Sequence, residues 1–199
     1  RLVDGTIASG GNRYENAQIA LWEFKTGSGT TAFDTSGVEP AINLTMSGDV
    51  TWYGGWGITI GPGNGKAQGS TSSSKKLHDL IKATGEYSIE AWVVPANVTQ
   101  EMARIVSYSA GDDARNFTLQ QTMYNYEFRH RSTETSLNGD PRLSTPDADE
   151  ILQATLQHVV ATYSPVDGRA IYVNGLLVTQ QDPTPTGSLT DWQDTFALV

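Results

Sequence analysis

The clearest run of alternating apolar and polar residues along the chain is YSIEAWVVP, at positions 87–95. In an extended backbone successive side chains point to opposite sides, so Ile89, Ala91 and Val93 share one face. The other face carries Ser88, Glu90, Trp92 and Val94. This pattern predicts a long, buried β-strand around which the rest of the fold is organised.

Two later runs have the composition of strands that would neighbour this one in a sheet. LQHVVATY covers Leu156–Tyr163, and RAIYVNGLLVTQ covers Arg169–Gln180 with Asn174-Gly175 at its centre. Asn-Gly between two apolar runs predicts a β-hairpin, because both central residues of a type I′ turn need positive φ. Together the three runs predict the body of an antiparallel β-sandwich.

The spacing of apolar residues predicts one short helix, at Ser74–Ala83. Leu77, Leu80 and Ile81 lie at positions i, i+3 and i+4, which places them on one stripe of a helix. Gly85 follows as a stop signal. The helix would lead directly into the central strand.

Shorter apolar runs predict the remaining strands, at 19–24, 57–60, 104–109, 116–121, 123–131 and 196–199. The runs 42–46 and 50–53 predict a hairpin. Residues 1–18 are polar and contain glycines, which predicts an N-terminal extension or linker ahead of a single domain at 19–199. The hydrophilic segment 132–150 predicts a long loop, and loops of that length are usually functional or mobile.

The composition of the chain argues against nucleic acid as a partner and against insertion into a membrane. The chain has 199 residues, a net charge of −9 and no cysteine, so its core must hold without disulfides or thiolate metal sites. An acidic chain lacks the Lys/Arg clusters that phosphate backbones require, which argues against nucleic acid. No apolar run reaches the ~20 residues that span a bilayer, so we predict no membrane insertion.

Three sequence motifs together resemble a known family. They are WEFKTGSGTTAFDTSG at 22–37, GEYSIEAWVVP at 85–95 and HVVATYSPVDGRAIYVNGLLV at 158–178. In this order and spacing they resemble the laminin G-like jelly-roll domains of the concanavalin A-like lectin/glucanase superfamily, over most of residues 19–199. The resemblance implies two antiparallel sheets packed face to face. We therefore predict an all-β fold, a two-sheet antiparallel β-sandwich (jelly roll) with one short helix.

The same resemblance implies a biological setting. Such domains bind carbohydrate or protein outside the cytoplasm, without catalysis, and often as modules of a larger protein. They normally end with a closing strand, which here should follow Val199. Because an unpaired sandwich edge is a liability, we expect that strand in a C-terminal part of the parent protein, or another segment paired with the edge.

Catalytic signatures are weak. Retaining glycoside hydrolysis needs two carboxyl groups ~5–5.5 Å apart, and alternate strand residues lie ~6.6 Å apart, so closely spaced carboxylates on one strand are the expected signature. The E-x-D-x-x-E motif of the glucanase branch is absent, Glu90 is the one acid of its strand, and Asp147 and Asp149 lie in a proline-bearing loop. The three histidines lack metal-ligand spacing, and His158 is predicted to have a structural hydrogen-bonding role. We predict that the chain is not an enzyme; a divergent glycoside hydrolase or lyase is the less favoured alternative.

Aromatic residues are the better indication of function, because sugars pack their C–H faces on rings. Trp52, Tyr53 and Trp56 lie among glycines in a segment without the alternation of a buried strand, so at least one ring is predicted to be exposed. The alternative for Trp52 is that it ends a strand and packs inside. Trp192, in a long polar loop, is the strongest candidate in the chain for an exposed ring. The tryptophans assigned to the core are Trp22 and Trp92.

The strand at 123–131 has two chemically different faces. The aromatic face, predicted to be core, carries Tyr124, Tyr126, Phe128 and His130. The polar face, predicted to point outward, carries Asn125, Glu127, Arg129 and Arg131. We interpret this polar face as a hydrogen-bonding platform for hydroxyl or carboxylate groups, with Asn125, Arg129 and Arg131 as ligand-binding residues.

Calcium is the usual accessory ion of the superfamily that the sequence resembles, and it takes oxygen ligands from loops. The loop carboxylates that could serve are Asp34, Asp112, Asp113 and Asp167. None of them forms a specific calcium-loop pattern, so the capping of a turn is the alternative for each. Asp34 is the weak candidate for a metal ligand.

The function predicted from the sequence is therefore a non-catalytic carbohydrate (polysaccharide) binding module of a secreted, surface-exposed or periplasmic bacterial protein. The predicted carbohydrate-binding residues are Trp52, Tyr53, Trp56, Asn125, Arg129, Arg131 and Trp192. A protein-interaction or adhesion domain, which holds other domains of its parent, is the alternative from a different class.

Overall fold

A computed structural model of the protein describes residues 17–180 and 187–199. Within them the chain forms the α-helix α1 (Thr71–Thr84), a 3₁₀ turn (Asp147–Asp149) and fourteen strands, all paired antiparallel. The strands are β1 (Thr31–Ala32), β2 (Leu44–Ser47), β3 (Val50–Tyr53), β4 (Gly57–Ile60), β5 (Lys66–Gln68), β6 (Tyr87–Val93), β7 (Ala103–Ser109), β8 (Arg115–Thr122), β9 (Asn125–His130), β10 (Leu143–Ser144), β11 (Gln157–Ser164), β12 (Gly168–Val173), β13 (Leu176–Gln180) and β14 (Ala197–Leu198). The predicted all-β class is confirmed. Of the predicted N-terminal extension, residues 1–16 lie outside the described residues.

The chain divides into two compact units, Arg1–Lys76 and Leu77–Val199. In the first unit β1, β2 and β5 form a three-stranded sheet, and β3 pairs with β4 in a two-stranded sheet. Both runs of the predicted hairpin, 42–46 and 50–53, contain strands, but the strands belong to different sheets. The prediction that they pair with each other is wrong.

A close crossing of two chain segments explains this difference. The Asp49 carbonyl accepts a hydrogen bond from the Gly61 N–H at 2.7 Å, and the Asp49 N–H donates to the Gly63 carbonyl at 3.3 Å. Gly48 has a φ of 69°, and a Cβ atom on it would lie only 2.4 Å from the carbonyl oxygen of Asn64. Glycine is needed here for the crossing rather than for a hairpin turn.

The second unit contains the predicted central strand, β6. It pairs with β11 in a four-stranded sheet of order β13-β12-β11-β6, so the three runs that the sequence placed in one sheet do share it. The hairpin between β12 and β13 turns at Asn174 and Gly175, whose φ angles are 52° and 82°, in agreement with a type I′ turn. Along β6, Ile89 is buried while Ser88 and Glu90 are exposed, so the predicted alternation is also confirmed.

The other sheet of this unit has five strands in the order β10-β9-β8-β7-β14. Its inner side meets the four-stranded sheet through aromatic rings. The Tyr87 ring lies 5.4 Å from Phe117 and 6.1 Å from Phe128, and Tyr163 stacks on His130 with ring centroids 3.9 Å apart. Two antiparallel sheets therefore pack face to face around a core, which is the predicted β-sandwich.

Helix α1 starts three residues before the predicted position and ends at the predicted stop. The Ser70 hydroxyl accepts a hydrogen bond from the Ser73 N–H at 3.0 Å, which caps the first turn. Gly85, with a φ of 78°, donates its N–H to the Ile81 carbonyl and ends the helix. Within the described ranges, no helix has the length and apolar character required to cross a membrane.

Candidate functional site

Two large aromatic rings lie at the tip of the β3–β4 hairpin, in the first unit. Trp56 is 80% exposed and Tyr53 is 73% exposed. Tyr53 is the last paired residue of β3, and its partner across the ladder is Gly57. Because glycine has no side chain, nothing from the facing strand covers the Tyr53 ring. The Trp56 N–H donates to the Tyr53 carbonyl at 3.3 Å, which closes the turn between the two rings.

Trp52 holds this hairpin in place. Its indole N–H donates to the Gly29 carbonyl at 2.8 Å, and the side chain is half-buried. Successive side chains of a strand point to opposite sides, so this anchoring of Trp52 turns Tyr53 the other way, toward solvent. Three of the seven predicted carbohydrate-binding residues therefore come together on one hairpin, with two rings exposed and one ring used as the anchor.

The prediction that Trp192 is exposed is wrong. Only 3% of its surface is accessible, and its indole N–H donates to the Arg131 carbonyl at 2.7 Å. Its ring packs edge-on against Tyr87, with centroids 5.3 Å apart. The Asn116 side chain fixes the adjoining loop, since its amide donates to the Gln193 carbonyl and its oxygen accepts from the Gln193 N–H. The polar neighbours of Trp192 suggested solvent, but the loop turns its one large ring into the core.

The polar row of β9 lies opposite the core, as predicted, but it is not an open platform. Arg129 and Arg131 are only 7% and 8% exposed. One terminal nitrogen of Arg129 donates to both carboxylate oxygens of Asp140, at 2.8 and 2.7 Å. Asn125 is half-buried and donates its amide to the carboxylate of Asp147. The expected exposure of the two arginines is therefore wrong.

The segment that follows β9 covers this row. Gly139 passes so close to β9 that a Cβ atom on it would lie 2.8 Å from the backbone nitrogen of His130. The Leu137 carbonyl accepts the Arg115 N–H of the adjacent strand β8 at 3.1 Å. The hydrophilic segment 132–150 is thus a packed cover whose polar side chains pair with the row beneath it.

Glu127, in the same row, is a buried carboxylate with partners on both oxygens. The Gln120 amide donates to one oxygen and the Arg142 guanidinium donates to the other, each at 2.7 Å. A buried carboxylate that is fully hydrogen-bonded in this way serves structure, because both oxygens are already engaged.

Asp34, the weak candidate for a metal ligand, is the centre of a buried hydrogen-bond network in the first unit. One carboxylate oxygen accepts the N–H groups of Leu21 and Ser36, and the other accepts the Ile42 N–H and the Lys76 ammonium, the latter at 2.8 Å. Burial alone would raise the pKa of this carboxyl, but the ammonium and the N–H donors outweigh it and lower the pKa to about 2.

A lysine ammonium therefore occupies the position next to Asp34 where a cation would bind. Residues 19–24 form a loop, so the predicted strand there is wrong. The Leu21 N–H in this loop donates to the Asp34 carboxylate. Across the described part of the chain, no group of three or more His, Asp or Glu side chains could hold a metal ion.

Trp92, which residue type alone had assigned to the core, is 66% exposed. It lies on the outer face of β6, opposite His158 of β11, and the two ring centroids are 4.6 Å apart. His158 Nε2 lies 3.0 Å from a carboxylate oxygen of Glu90. The alternation along β6 was the signal that identifies this group, because it puts Glu90 and Trp92 on the face opposite Ile89.

Trp22 and His130 were also predicted to pack inside, and the structure places both at least partly in the interior. Trp22 is half-buried, and its indole N–H donates to the Ile42 carbonyl at 2.8 Å. His130 is buried in the predicted aromatic face, where its Nδ1 lies 2.8 Å from the Tyr87 hydroxyl. Burial, and then the charge of Arg169, lower the pKa of His130 to about 3.

Comparison with solved structures shows the same fold at low sequence identity. A botulinum neurotoxin serotype D/C binding domain is 14% identical with a TM-score of 0.66, and 92% of this chain aligns with 43% of that one. The binding domain of botulinum neurotoxin DC, solved in complex with rat synaptotagmin II, is 13% identical with a TM-score of 0.64, over 94% of this chain and 44% of that one. A third similar structure, described as showing that cell entry of botulinum neurotoxin type C depends on interaction with two ganglioside molecules, is 15% identical with a TM-score of 0.60, over 92% of this chain and 42% of that one.

This chain thus spans less than half the length of those binding-domain chains. No curated protein sequence matches it. At 13–15% identity these similarities show a shared fold, and two of the similar structures are described as binding domains.

A laminin G-like family model matches residues 64–199, which is more than half of the chain. The matched range includes both sheets of the second unit and confirms the resemblance inferred from the sequence motifs. The chain belongs to the concanavalin A-like lectin/glucanases superfamily.

Proposed function

We propose that this protein is a non-catalytic carbohydrate-binding module, and that the rings at the tip of the β3–β4 hairpin contact the sugar. The observation that carries the proposal is the exposure of Tyr53 and Trp56 on a hairpin anchored by the Trp52 indole. An exposed ring offers a flat apolar face to the C–H groups of a sugar, and the phenol O–H and indole N–H can donate to its hydroxyls. Tyr53 is held on a paired strand and Trp56 in the turn that follows it, which reduces the entropy that is lost on binding.

The comparisons support binding as the activity and leave two classes of ligand. One similar structure concerns gangliosides, which are glycans attached to lipid, and another is a complex with a protein, rat synaptotagmin II. The superfamily contains lectins. Carbohydrate is the ligand that we favour, because the hairpin presents two aromatic rings; the adhesion or protein-interaction domain is the second candidate, supported by the complex with synaptotagmin II.

The proposed setting is a secreted or surface-exposed bacterial protein in which this chain is one module. A carbohydrate-binding module keeps an attached domain close to a polysaccharide, so binding should be reversible and need no bond cleavage. The predicted calcium ion remains part of the proposal as an accessory, and a chelator tests it: binding that persists unchanged after treatment with EDTA would remove calcium from the proposal.

Affinity gel electrophoresis tests the function. The full chain is run through native gels that contain mannan, galactan, xylan or hydroxyethyl cellulose, next to gels without polysaccharide. We expect retardation by at least one of these glycans, and loss of most of it in the Tyr53→Ala/Trp56→Ala double variant. Phe33→Ala is the matched control, since Phe33 is also an exposed aromatic of the first unit but lies outside the hairpin. Equal retardation of the double variant and the wild type would contradict the proposal.

A further inference from the structure

The outer face of the four-stranded sheet carries a second group of exposed rings and polar side chains. Trp92 leans against the His158 ring, with centroids 4.6 Å apart and an angle of 31° between the planes. His158 in turn lies within hydrogen-bond distance of Glu90, at 3.0 Å. An aromatic surface, an imidazole and a carboxylate are thus held together on two adjacent strands.

The backbone holds this group rigidly. Trp92 faces His158 directly across the β6–β11 ladder, and Glu90 faces Val160. The His158 N–H donates to the Asn174 side chain at 3.0 Å, and the Asn174 N–H donates back to the His158 carbonyl at 2.8 Å. The group is therefore fixed from both sides by ladder and turn hydrogen bonds before any ligand arrives.

The face extends across the sheet beyond Trp92. Val160 pairs with Tyr172 of β12, so the Tyr172 ring lies on the same outer side, half-buried. Trp92 and Tyr172 are two strands apart, which is a separation of about 10 Å across the sheet. That distance is wider than one sugar ring, so the two aromatics can contact different rings of one chain.

We propose that this surface, which we call the Trp92 face (Glu90, Trp92, His158, Val160 and Tyr172), is a second binding site and takes a neutral oligosaccharide that lies across the strands. Trp92 stacks on one sugar ring, and Tyr172 contacts a second ring further along the chain. Glu90 accepts hydrogen bonds from hydroxyl groups, and His158 exchanges hydrogen bonds with them. The inference takes only the class of ligand from the proposed function, because the site lies in the other unit and uses different residues.

The charge of the site argues for a neutral glycan rather than an acidic one. The Glu90 side chain is 41% exposed and lies beside Trp92, where it would repel a carboxylate on the sugar. The chain as a whole carries a net charge of −9, which acts in the same direction. The five residues of the face include no lysine or arginine, and their one imidazole, that of His158, lies against the Glu90 carboxylate.

A protein partner is the competing occupant. Val94 and Leu156, which flank Trp92 and His158, are 64% and 61% exposed and would suit a protein interface. The centre of the face, however, is the Glu90–His158 pair, and a protein surface would have to remove water from it without equivalent hydrogen bonds. The hydroxyl groups of a sugar can take over the hydrogen bonds of the water that they displace, which favours a glycan as the ligand.

Two cellulose derivatives, one neutral and one acidic, test the inference on the full chain. Hydroxyethyl cellulose is neutral and carboxymethyl cellulose has the same backbone with carboxylates, so gels of each compare a neutral with an acidic polymer. Mannan and galactan gels extend the test to other neutral backbones. We expect retardation by a neutral polymer, weakened about tenfold or more by Trp92→Ala and less by Tyr172→Ala. Glu90→Gln should reduce the preference for neutral over carboxylated polymer. Leu176→Ala, an exposed apolar residue outside the face, is the matched control.

The variants separate this inference from the proposed function. If Tyr53→Ala/Trp56→Ala abolishes binding and Trp92→Ala leaves it unchanged, the Trp92 face is not a site and the proposed function stands. If Trp92→Ala weakens binding and the hairpin variant does not, the face is the site and the hairpin assignment fails. No retardation of the wild type by any neutral polymer would overturn both, and capture of a protein instead, lost on Val94→Ala and Leu156→Ala, would make the face a protein interface.

Each variant is checked for folding by near-ultraviolet circular dichroism and thermal unfolding. Trp92→Tyr is a second test that keeps an aromatic surface, and it should restore most of the binding lost in Trp92→Ala. Loss of binding in Trp92→Tyr equal to that in Trp92→Ala, with the fold intact, would contradict a stacking role for the ring.

Discussion

The two sheets of the second unit each have an outward row of polar and aromatic side chains, but only one row is open. On the four-stranded sheet Glu90, Trp92 and His158 remain accessible to solvent. On the five-stranded sheet Arg129 and Arg131 occupy the equivalent position and are buried. The difference lies in what covers each row, since both rows face away from the aromatic core.

The covered row shows how a potential binding surface becomes structural. Arg129 has Asp140 as its partner, and Glu127 has Arg142, and both partners come from the segment that folds over β9. These two buried charges are therefore compensated within the protein and are not available to a ligand. In the open row Glu90 lies within hydrogen-bond distance of His158, beside a ring that has most of its surface in water. Outward orientation is therefore necessary for a site, but it is not sufficient.

The largest expected effect on stability is that of removing the buried ring of Trp192. Trp192→Ala should lower the free energy of unfolding by about 3–5 kcal/mol, because it removes a buried ring and leaves a cavity. The indole also gives up its hydrogen bond to the Arg131 carbonyl. Urea denaturation monitored by circular dichroism measures the change. A loss below about 1 kcal/mol would mean that the ring is not part of the core.

Breaking an ion pair between β9 and the segment 132–150 that covers it should lower the free energy of unfolding somewhat less. Asp140→Asn removes the negative charge that pairs with the buried Arg129 guanidinium, at a cost of about 2 kcal/mol because the Asp140 carboxylate is itself partly exposed to water. The control is Asp112→Asn, whose partner Arg104 and whose own side chain lie at the surface, where such pairs contribute at most about 1 kcal/mol. Equal effects of the two substitutions, measured by urea denaturation, would argue that the row under the cover is solvated. Binding to neutral glycan should not change in either variant.

Stability should fall between pH 7 and pH 5 because of His130. Burial keeps its imidazole neutral in the folded protein down to a pKa of about 3, whereas the unfolded chain binds a proton near the ordinary pKa of 6.5. The unfolded state therefore binds more protons as pH falls below 6.5, which costs about 2 kcal/mol by pH 5 and more at lower pH. Urea denaturation at a series of pH values measures the slope. His130→Asn should remove this part of it, and an unchanged slope in that variant would assign the effect to another group.

The smallest expected effect on stability belongs to Trp92→Ala. Because most of the ring lies in water, its removal should change the free energy of unfolding by no more than about 0.5 kcal/mol. A large loss would show that the ring packs against another part of the protein, and would leave the Trp92 face without its central residue. A small loss together with weakened glycan binding would separate the role of this residue from folding.

The sequence was sufficient for features that depend on local pattern. Alternation located β6, the Asn174-Gly175 pair located the β12–β13 hairpin, and Gly85 located the end of α1. Two of the three motifs that carry the family resemblance, at 85–95 and 158–178, lie in these same elements. Each is governed by interactions within a few residues or by the two faces of one strand, which a single sequence records directly.

What the sequence could not show is what lies over each face. Alternation correctly put Arg129 outward, but the cover depends on the contact of Gly139 with β9, which no local pattern indicates. For Trp92 the alternation was informative and the general tendency of tryptophan to be buried was misleading. For Trp192 the polar neighbours were misleading, because a loop can fix itself through its polar groups and still bury one ring.

The most direct test of the account is the migration of one variant in an affinity gel. Tyr53→Ala, Trp56→Ala and Trp92→Ala are combined, and the folded triple variant is compared with the wild type in gels that contain each neutral polysaccharide. We expect the wild type to be retarded by at least one polymer and the triple variant to migrate as it does without polymer. A folded triple variant that is retarded as strongly as the wild type would contradict the claim that exposed aromatic rings bind the glycan.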